Sequence, residues 1–173
     1  MVEPSRRRIG LISDTHGLLR PQAKSFLEGS DHIVHAGDIG DARILEELAA
    51  IAPLTAVRGN NDGGAWAQEL PLIADLVIGG LRIRVIHILA ELADPRHVAK
   101  VADGTHAEGA EALTATPHRV VVSGHSHKPL IQERDGILYV NPGSAGPRRF
   151  KLPIAVGELL MEGTSVSARI LEL

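Results

Sequence analysis

Asp14 and His16 stand two residues apart in Ile12-Ser13-Asp14-Thr15-His16-Gly17, a carboxylate and an imidazole set directly behind a short apolar run. Four further groups follow: Gly37-Asp38, Gly59-Asn60, His87 within Arg84-Val85-Ile86-His87-Ile88-Leu89, and Gly124-His125-Ser126-His127. Each alone has an ordinary explanation in helix capping, a turn, or a core histidine with satisfied nitrogens. Together they assemble carboxylate, amide and imidazole donors without sulfur, a set suited to borderline divalent cations such as Mn, Fe, Ni, Co or Zn. A histidine inside an aliphatic run costs desolvation free energy unless its polar atoms are partnered, and metal ligation is one way to partner them.

The elements that must position these groups read clearly in the first third of the chain. Residues 7–13 form a buried strand ending at Gly17, whose backbone tolerates conformations other residues avoid. Residues 21–27 form a helix with Pro21 at its first position. A second strand at 33–36 ends in Gly37-Asp38, and a helix at 42–51 follows behind Asp41 as N-cap. A third strand at 54–57 ends in Arg58-Gly59-Asn60-Asn61-Asp62. This alternation predicts a largely parallel sheet whose carboxyl edge collects the polar groups. Farther on, strands at 75–78 and 81–89 flank a Gly79-Gly80 turn. Helices are expected at 94–102 and 108–113, then a strand at 119–123 and four more at 130–133, 137–140, 154–161 and 165–171. A parallel front and an antiparallel tail predict two sheets packed face to face with helices outside, in a single domain covering 1–173.

Composition narrows the function classes. The 173 residues carry a formal net charge of -3, 44% hydrophobic and 23% charged residues, no cysteine and only 2% aromatics. Thiolate metal sites are excluded, so a cation must rest on His, Asp, Glu or Asn. The absence of a long basic run argues against a stable nucleic-acid complex, and the scarcity of aromatics argues against a base-stacking platform. No apolar run approaches the length that spans a bilayer, so no membrane association and a cytoplasmic setting are expected. Arg6-Arg7-Arg8 reads as a solvated strand entrance, with a nucleotide-facing role as the alternative.

The ordered set Asp14-x-His16, Gly37-Asp38, Gly59-Asn60, His87 and Gly124-His125-x-His127 resembles the signature of the calcineurin-like metallophosphoesterases. Asn141-Pro142-Gly143-Ser144 and the short length resemble their compact bacterial and archaeal phosphodiesterase branch. The resemblance implies a four-layer αββα sandwich of two mixed β-sheets with two divalent ions, manganese foremost, at the loop ends. It implies that Asp14, His16 and His127 hold one ion, that Asn60, His87 and His125 hold the other, and that Asp38 bridges them. A shared carboxylate would offset the repulsion between two cations about 3.5–4 Å apart, and a hydroxide bridging them would attack phosphorus in line. The expected substrate is a small phosphodiester or nucleotide-like molecule.

Two positions depart from that pattern. Family members carry histidine or cysteine after the Gly-Asn pair, where this chain has Asn61, which cannot supply a proton at neutral pH. They also read His-Gly-His where this chain has His87-Ile88-Leu89, which either makes the pocket wall apolar or extends the strand. Arg58 is expected either to reach substrate oxygens or to form a structural salt bridge. Asn141, the turn after it and Arg148 are expected to close the pocket, His35 to support it, Trp66 to pack, and His32, His97, His106 and His118 to lie on the surface. The competing readings are a protein-binding scaffold resembling the retromer subunit of this fold and a metal or nucleotide sensor. The β-rich tail leaves an edge on which a homo-oligomer can form.

Overall fold

Residues 9–12 are buried on both faces of their strand. The computed structural model, which describes residues 6–93 and 119–173, shows what covers them. In order the elements are β1 (Arg6–Ile12), α1 (Pro21–Leu27), β2 (His32–His35), α2 (Ala42–Ala49), β3 (Leu54–Ala56), α3 (Ala65–Gln68), β4 (Ile73–Ile78) and β5 (Leu81–Ile86). A 3-10 turn at Leu89–Ala93 comes next, then β6 (Val120–Val122), β7 (Leu130–Arg134), β8 (Ile137–Asn141), β9 (Ala155–Glu162) and β10 (Ser165–Glu172). The expected helices at 94–102 and 108–113, with His97, His106 and His118, lie outside the described residues.

Two mixed five-stranded sheets result. The first has strand order β10-β9-β1-β2-β3 and the second β4-β5-β6-β8-β7. In the first, β1, β2 and β3 run parallel, while β9 and β10 return antiparallel along the free side of β1. In the second, β5, β6 and β8 run parallel, with β4 and β7 antiparallel at the edges.

Alternation along β1 divides its side chains between two cores. Ile9 and Leu11 meet Ile83, Val85, Val120, Val122 and Val140 of the opposite sheet. Ile12 faces α1 and α2, joining Leu27, Ile44 and Leu48. Gly10 allows this close approach, since a Cβ there would lie 2.5 Å from Leu27. The outer face of the second sheet buries Ile73, Ile86 and Val121 beneath Leu89 and Leu92 of the 3-10 turn.

Local chemistry sets the element ends. Asp41 caps α2 by accepting the Arg43 N–H, as its position predicts. Gly79-Gly80 closes β4 on β5 with both residues at positive φ, the form that two-residue hairpins favour. One expectation fails: the strand at 81–89 stops at Ile86. Its neighbour β4 begins at Ile73, opposite Ile86, so the chain beyond has no ladder to join and coils into the 3-10 turn. His87 therefore stands just past a strand end rather than inside a strand.

Arg8 also departs from the solvated role. Its guanidinium bonds Glu158, which is 1% exposed, and the Glu28 and Phe26 carbonyls that end α1. Arg6 keeps an exposed pair with Glu162. Trp66 packs against the helix-side core.

Candidate metal centre

All seven predicted donors follow strands whose carboxyl ends open toward one edge of the sandwich. Asp14 and His16 follow β1, Asp38 follows β2, Asn60 follows β3, His87 follows β5, and His125 and His127 follow β6. Loops there must turn sharply to aim side chains at one point, and the backbone records it. Asp14, His16, Asp38, His125 and His127 have φ between 44° and 65°, a left-handed conformation costing non-glycine residues about 1–3 kcal/mol each. Five of the seven donors bear that strain.

The donors fall into two groups. In the first, His127 Nε2 lies 3.2 Å from Asp14 Oδ1 and 3.2 Å from His16 Nε2, and His16 Nε2 lies 3.8 Å from Asp14 Oδ1. In the second, His87 Nε2 lies 3.4 Å from Asp38 Oδ1, and Asn60 Oδ1 sits 3.1 Å from His87 Nε2 and 3.0 Å from His125 Nδ1. Donors about 2.1 Å from one cation stand about 3.0–3.4 Å apart at angles between 90° and tetrahedral. Most of these separations fall in that range. Asp38 reaches both groups, with Oδ1 toward His87 and Oδ2 3.8 Å from His16 Nε2. Asp14, Asp38 and His87 also gather one donor atom each within 4.8 Å, so Asp14 stands closer to the second group than the resemblance implies.

Polar bookkeeping points the same way. Asp14 Oδ2 accepts from Ser13 Oγ and the His125 N–H, while Asp14 Oδ1, though buried, has no hydrogen-bond donor among the described residues. An orphaned buried carboxylate oxygen is costly, and a cation beside two imidazole nitrogens would satisfy it. His87 donates Nδ1–H to the Ala36 carbonyl at 2.7 Å, which aims Nε2 at Asp38 and Asn60, where loss of its proton would leave a lone pair for ligation. The residues fit a divalent cation.

Electrostatics follow from these contacts. Burial alone would raise the Asp38 pKa, but bonds from His87 and from the Asn61 main chain and side chain outweigh it and hold the carboxyl well below its usual range. Burial would depress His87, yet its bonds to Asp38 and Ala36 raise it above the ordinary histidine value. His16 is lowered, chiefly by burial, with Asp38 opposing and Arg149 reinforcing.

One supporting residue, Asp62, is not singled out by the sequence. Asp62 accepts the N–H groups of Gly40 and Gly59, both at 2.9 Å, and ties the loops after β2 and β3 together. Gly59 passes so close to Asp38 that a Cβ would lie 2.1 Å from its Oδ1. His35 is fully buried: its Nδ1 accepts the Gly37 N–H and its Nε2–H faces Thr15 Oγ1, which donates to the Ile39 carbonyl. That chain of bonds joins the first two loops, the supporting role expected of His35. Asn141 does not close the pocket. It is buried and donates to Gly124 O and Ser126 Oγ, bracing the loop that bears His125 and His127. His32 is half-buried against Thr55 rather than on the surface.

Asn61 donates its main-chain N–H to Asp38 Oδ1 and its side-chain amide to Oδ2. Arg58 lines a cleft of about 330 Å³ with Asn60, Leu72, Ile86, His87 and Ile88. Among the described residues no carboxylate forms an ion pair with it, although Asp62 and Glu91 line the same cleft. Ile88 lines the cleft instead of extending β5, which makes that wall apolar.

The family model described as the calcineurin-like phosphoesterase superfamily domain matches residues 8–162. The chain belongs to the calcineurin-like phosphoesterase superfamily. This superfamily member is 37% identical over 142 residues to a probable metallophosphoesterase of Methanocaldococcus jannaschii, covering 79% of this chain and 67% of that one. It is 27% identical over 154 residues to a phosphodiesterase of the same organism, covering 79% and 82%. The structure of vacuolar protein sorting 29 from Cryptosporidium parvum superposes with a TM-score of 0.75 at 20% identity, covering 97% of this chain and 92% of that one. At that identity the likeness shows the shared fold alone. Within this phosphoesterase fold, no helix among the described residues is long and apolar enough to cross a membrane.

Proposed function

We propose that the chain is a dinuclear, metal-dependent phosphodiesterase acting on small phosphodiester or nucleotide-like substrates, with manganese the first choice of ion. The observation that carries this reading is Asp38, whose two oxygens face separate donor groups. Asp14, His16 and His127 would hold one ion, and Asn60, His87 and His125 the other, with Asp38 shared. Bound cations would supply the charge that activates a water for in-line attack and offsets charge on the phosphoryl oxygens. The chain's own residues do the rest. Asn61 holds Asp38 in its bridging orientation through both oxygens. Arg58 offers a cation on the cleft beside Asn60 to a phosphoryl oxygen, in a lining that also holds the Asp62 and Glu91 carboxylates.

The experiment is metal analysis of the purified chain together with turnover of an aryl phosphodiester in added Mn, for wild type and Asp38→Asn. About two ions per chain and activity abolished in the variant are expected. A metal-free and inert protein would favour the alternative, a protein-binding scaffold, which the fold likeness to vacuolar protein sorting 29 supports. Full metal content without turnover on any phosphoester would favour a sensor.

A further inference from the structure

Seven non-glycine residues of the described chain have positive φ. Five are candidate ligands, and Asp135 sits with Gly136 in the tight turn between β7 and β8. The seventh is Phe150, at φ 54° and 92% exposed. It occupies a turn in which the Leu152 N–H reaches the Arg149 carbonyl, where glycine, asparagine or aspartate is the ordinary choice. The turn explains the conformation but not the residue. Only four aromatic residues occur in the chain, and the other three, Phe26, Trp66 and Tyr139, pack against cores. A phenyl ring is thus held in water, on a strained backbone, where a smaller residue would be more stable.

The turn is rooted in the site. The Ala145 N–H bonds Ser13 O, the Gly146 N–H bonds Asp14 O, and Ser144 Oγ also donates to Asp14 O. The Arg20 guanidinium clamps the Gly146 carbonyl. Four residues span at most about 14 Å, so Phe150 cannot lie far from the Asp14 loop. Arg148, Arg149 and Lys151 flank it, all exposed, and among the described residues none has a carboxylate partner. Three unpaired cations around one exposed ring, in a chain of net charge -3, make a local positive platform beside the donor groups.

We infer that the Arg148-Arg149-Phe150-Lys151 turn is a substrate-gripping platform, on which a planar aromatic group of the phosphoester stacks against Phe150 while the flanking cations draw its phosphate toward the Asp14 loop. This rests on the proposed phosphodiesterase reading and names its substrate class: phosphodiesters carrying a nucleobase or an aryl ester. The scarcity of aromatics that argues against a multi-base stacking platform does not bear on one small substrate, for which the single exposed ring of Phe150 suffices: stacking tolerates any planar group, and flanking cations supply the attraction for phosphate.

The test is calorimetric binding of three probes to the Mn-loaded chain: adenosine 5′-monophosphate, phenyl phosphate and methyl phosphate. The two aromatic probes should bind about tenfold or more tightly than methyl phosphate. Phe150→Ala should erase that advantage without changing methyl phosphate, Phe150→Tyr should restore it, and Arg149→Gln should weaken all three. A nucleotide preferred over phenyl phosphate identifies a nucleobase site, and equal binding identifies a general aryl site. Phe150→Gly separates function from structure, because relief of the positive φ should raise the melting temperature while affinity falls. Methyl phosphate bound as tightly as both aromatic probes, or no effect of Phe150→Ala, overturns the platform while leaving the phosphodiesterase reading intact. No binding of any probe also overturns the platform, while the phosphodiesterase reading stands or falls on the separate turnover assay.

Discussion

Asn61 grips Asp38 by both oxygens, its main-chain N–H 2.8 Å from Oδ1 and its side-chain amide 2.6 Å from Oδ2. Groups that orient a ligating carboxylate tune metal affinity by about 10–100-fold when removed. Asn61→Ala keeps the main-chain bond and loses the amide, so manganese should bind about tenfold more weakly, as read by competition with a metallochromic chelator. Unchanged affinity would mean that the amide swings away when metal is present.

The same residue bears on the leaving group. An amide donates a hydrogen bond but carries no titratable proton at neutral pH, so a poor alkoxide leaving group receives no acid catalysis from it. Turnover of an aryl phosphodiester should exceed that of an alkyl phosphomonoester, and Asn61→His should narrow the gap. Comparable wild-type rates on the two substrates would refute this account of Asn61.

Gly59 is a matter of space. An added methyl would lie 2.1 Å from Asp38 N and from Asp38 Oδ1, so the loops after β2 and β3 would have to separate. Gly59→Ala should cost about 3 kcal/mol in urea unfolding and lower metal content with it. Gly63→Ala, four residues on in an open position, should be neutral in both measurements.

His35 makes the fold acid-sensitive. Burial disfavours the charged imidazole and lowers its pKa from 6.5 to about 4. The unfolded chain binds a proton there more readily, so this contribution is complete above pH 6.5 and is lost as pH falls toward 4. Its size is about 3 kcal/mol at most. Unfolding of the chelator-treated protein across that window should show a steeper loss for wild type than for His35→Gln; parallel slopes would assign the acid sensitivity elsewhere.

Two ion pairs on neighbouring strands should differ in worth. Glu158, with 1% side-chain exposure, bonds Arg8 and Arg169, whereas Arg6 and Glu162 are 82% and 56% exposed. Removing one partner of a buried pair costs about 3–5 kcal/mol, while exposed pairs contribute about 0–1 kcal/mol. Arg8→Ala, which leaves the buried Glu158 carboxylate with only the exposed Arg169, should therefore lower stability by far more than Arg6→Ala in the same denaturation assay.

Much of this was legible from local pattern. Pro21, Asp41 and the Gly79-Gly80 pair mark their elements by backbone chemistry that depends on no distant contact. The end of β5 was not legible, since Ile88 and Leu89 are as strand-prone as Ile86. What stops the strand is the start of β4 opposite Ile86, a partner far away in register. Asn141 likewise reads as a pocket residue by motif, and only its bonds to Gly124 and Ser126 reveal a brace.

The chain's linear order determined which chemistry was available: donors without sulfur, each placed behind an apolar run that must be a buried strand. Spacing along the chain says nothing about which oxygen of Asp38 faces which histidine, that Asn61 turns inward to hold it, or that Phe150 is pushed into solvent near Asp14. Those were decided by the packing of two sheets, because through-space distances between loops depend on the register of strands as far apart in sequence as Arg6 and Glu162, and no local preference encodes that register.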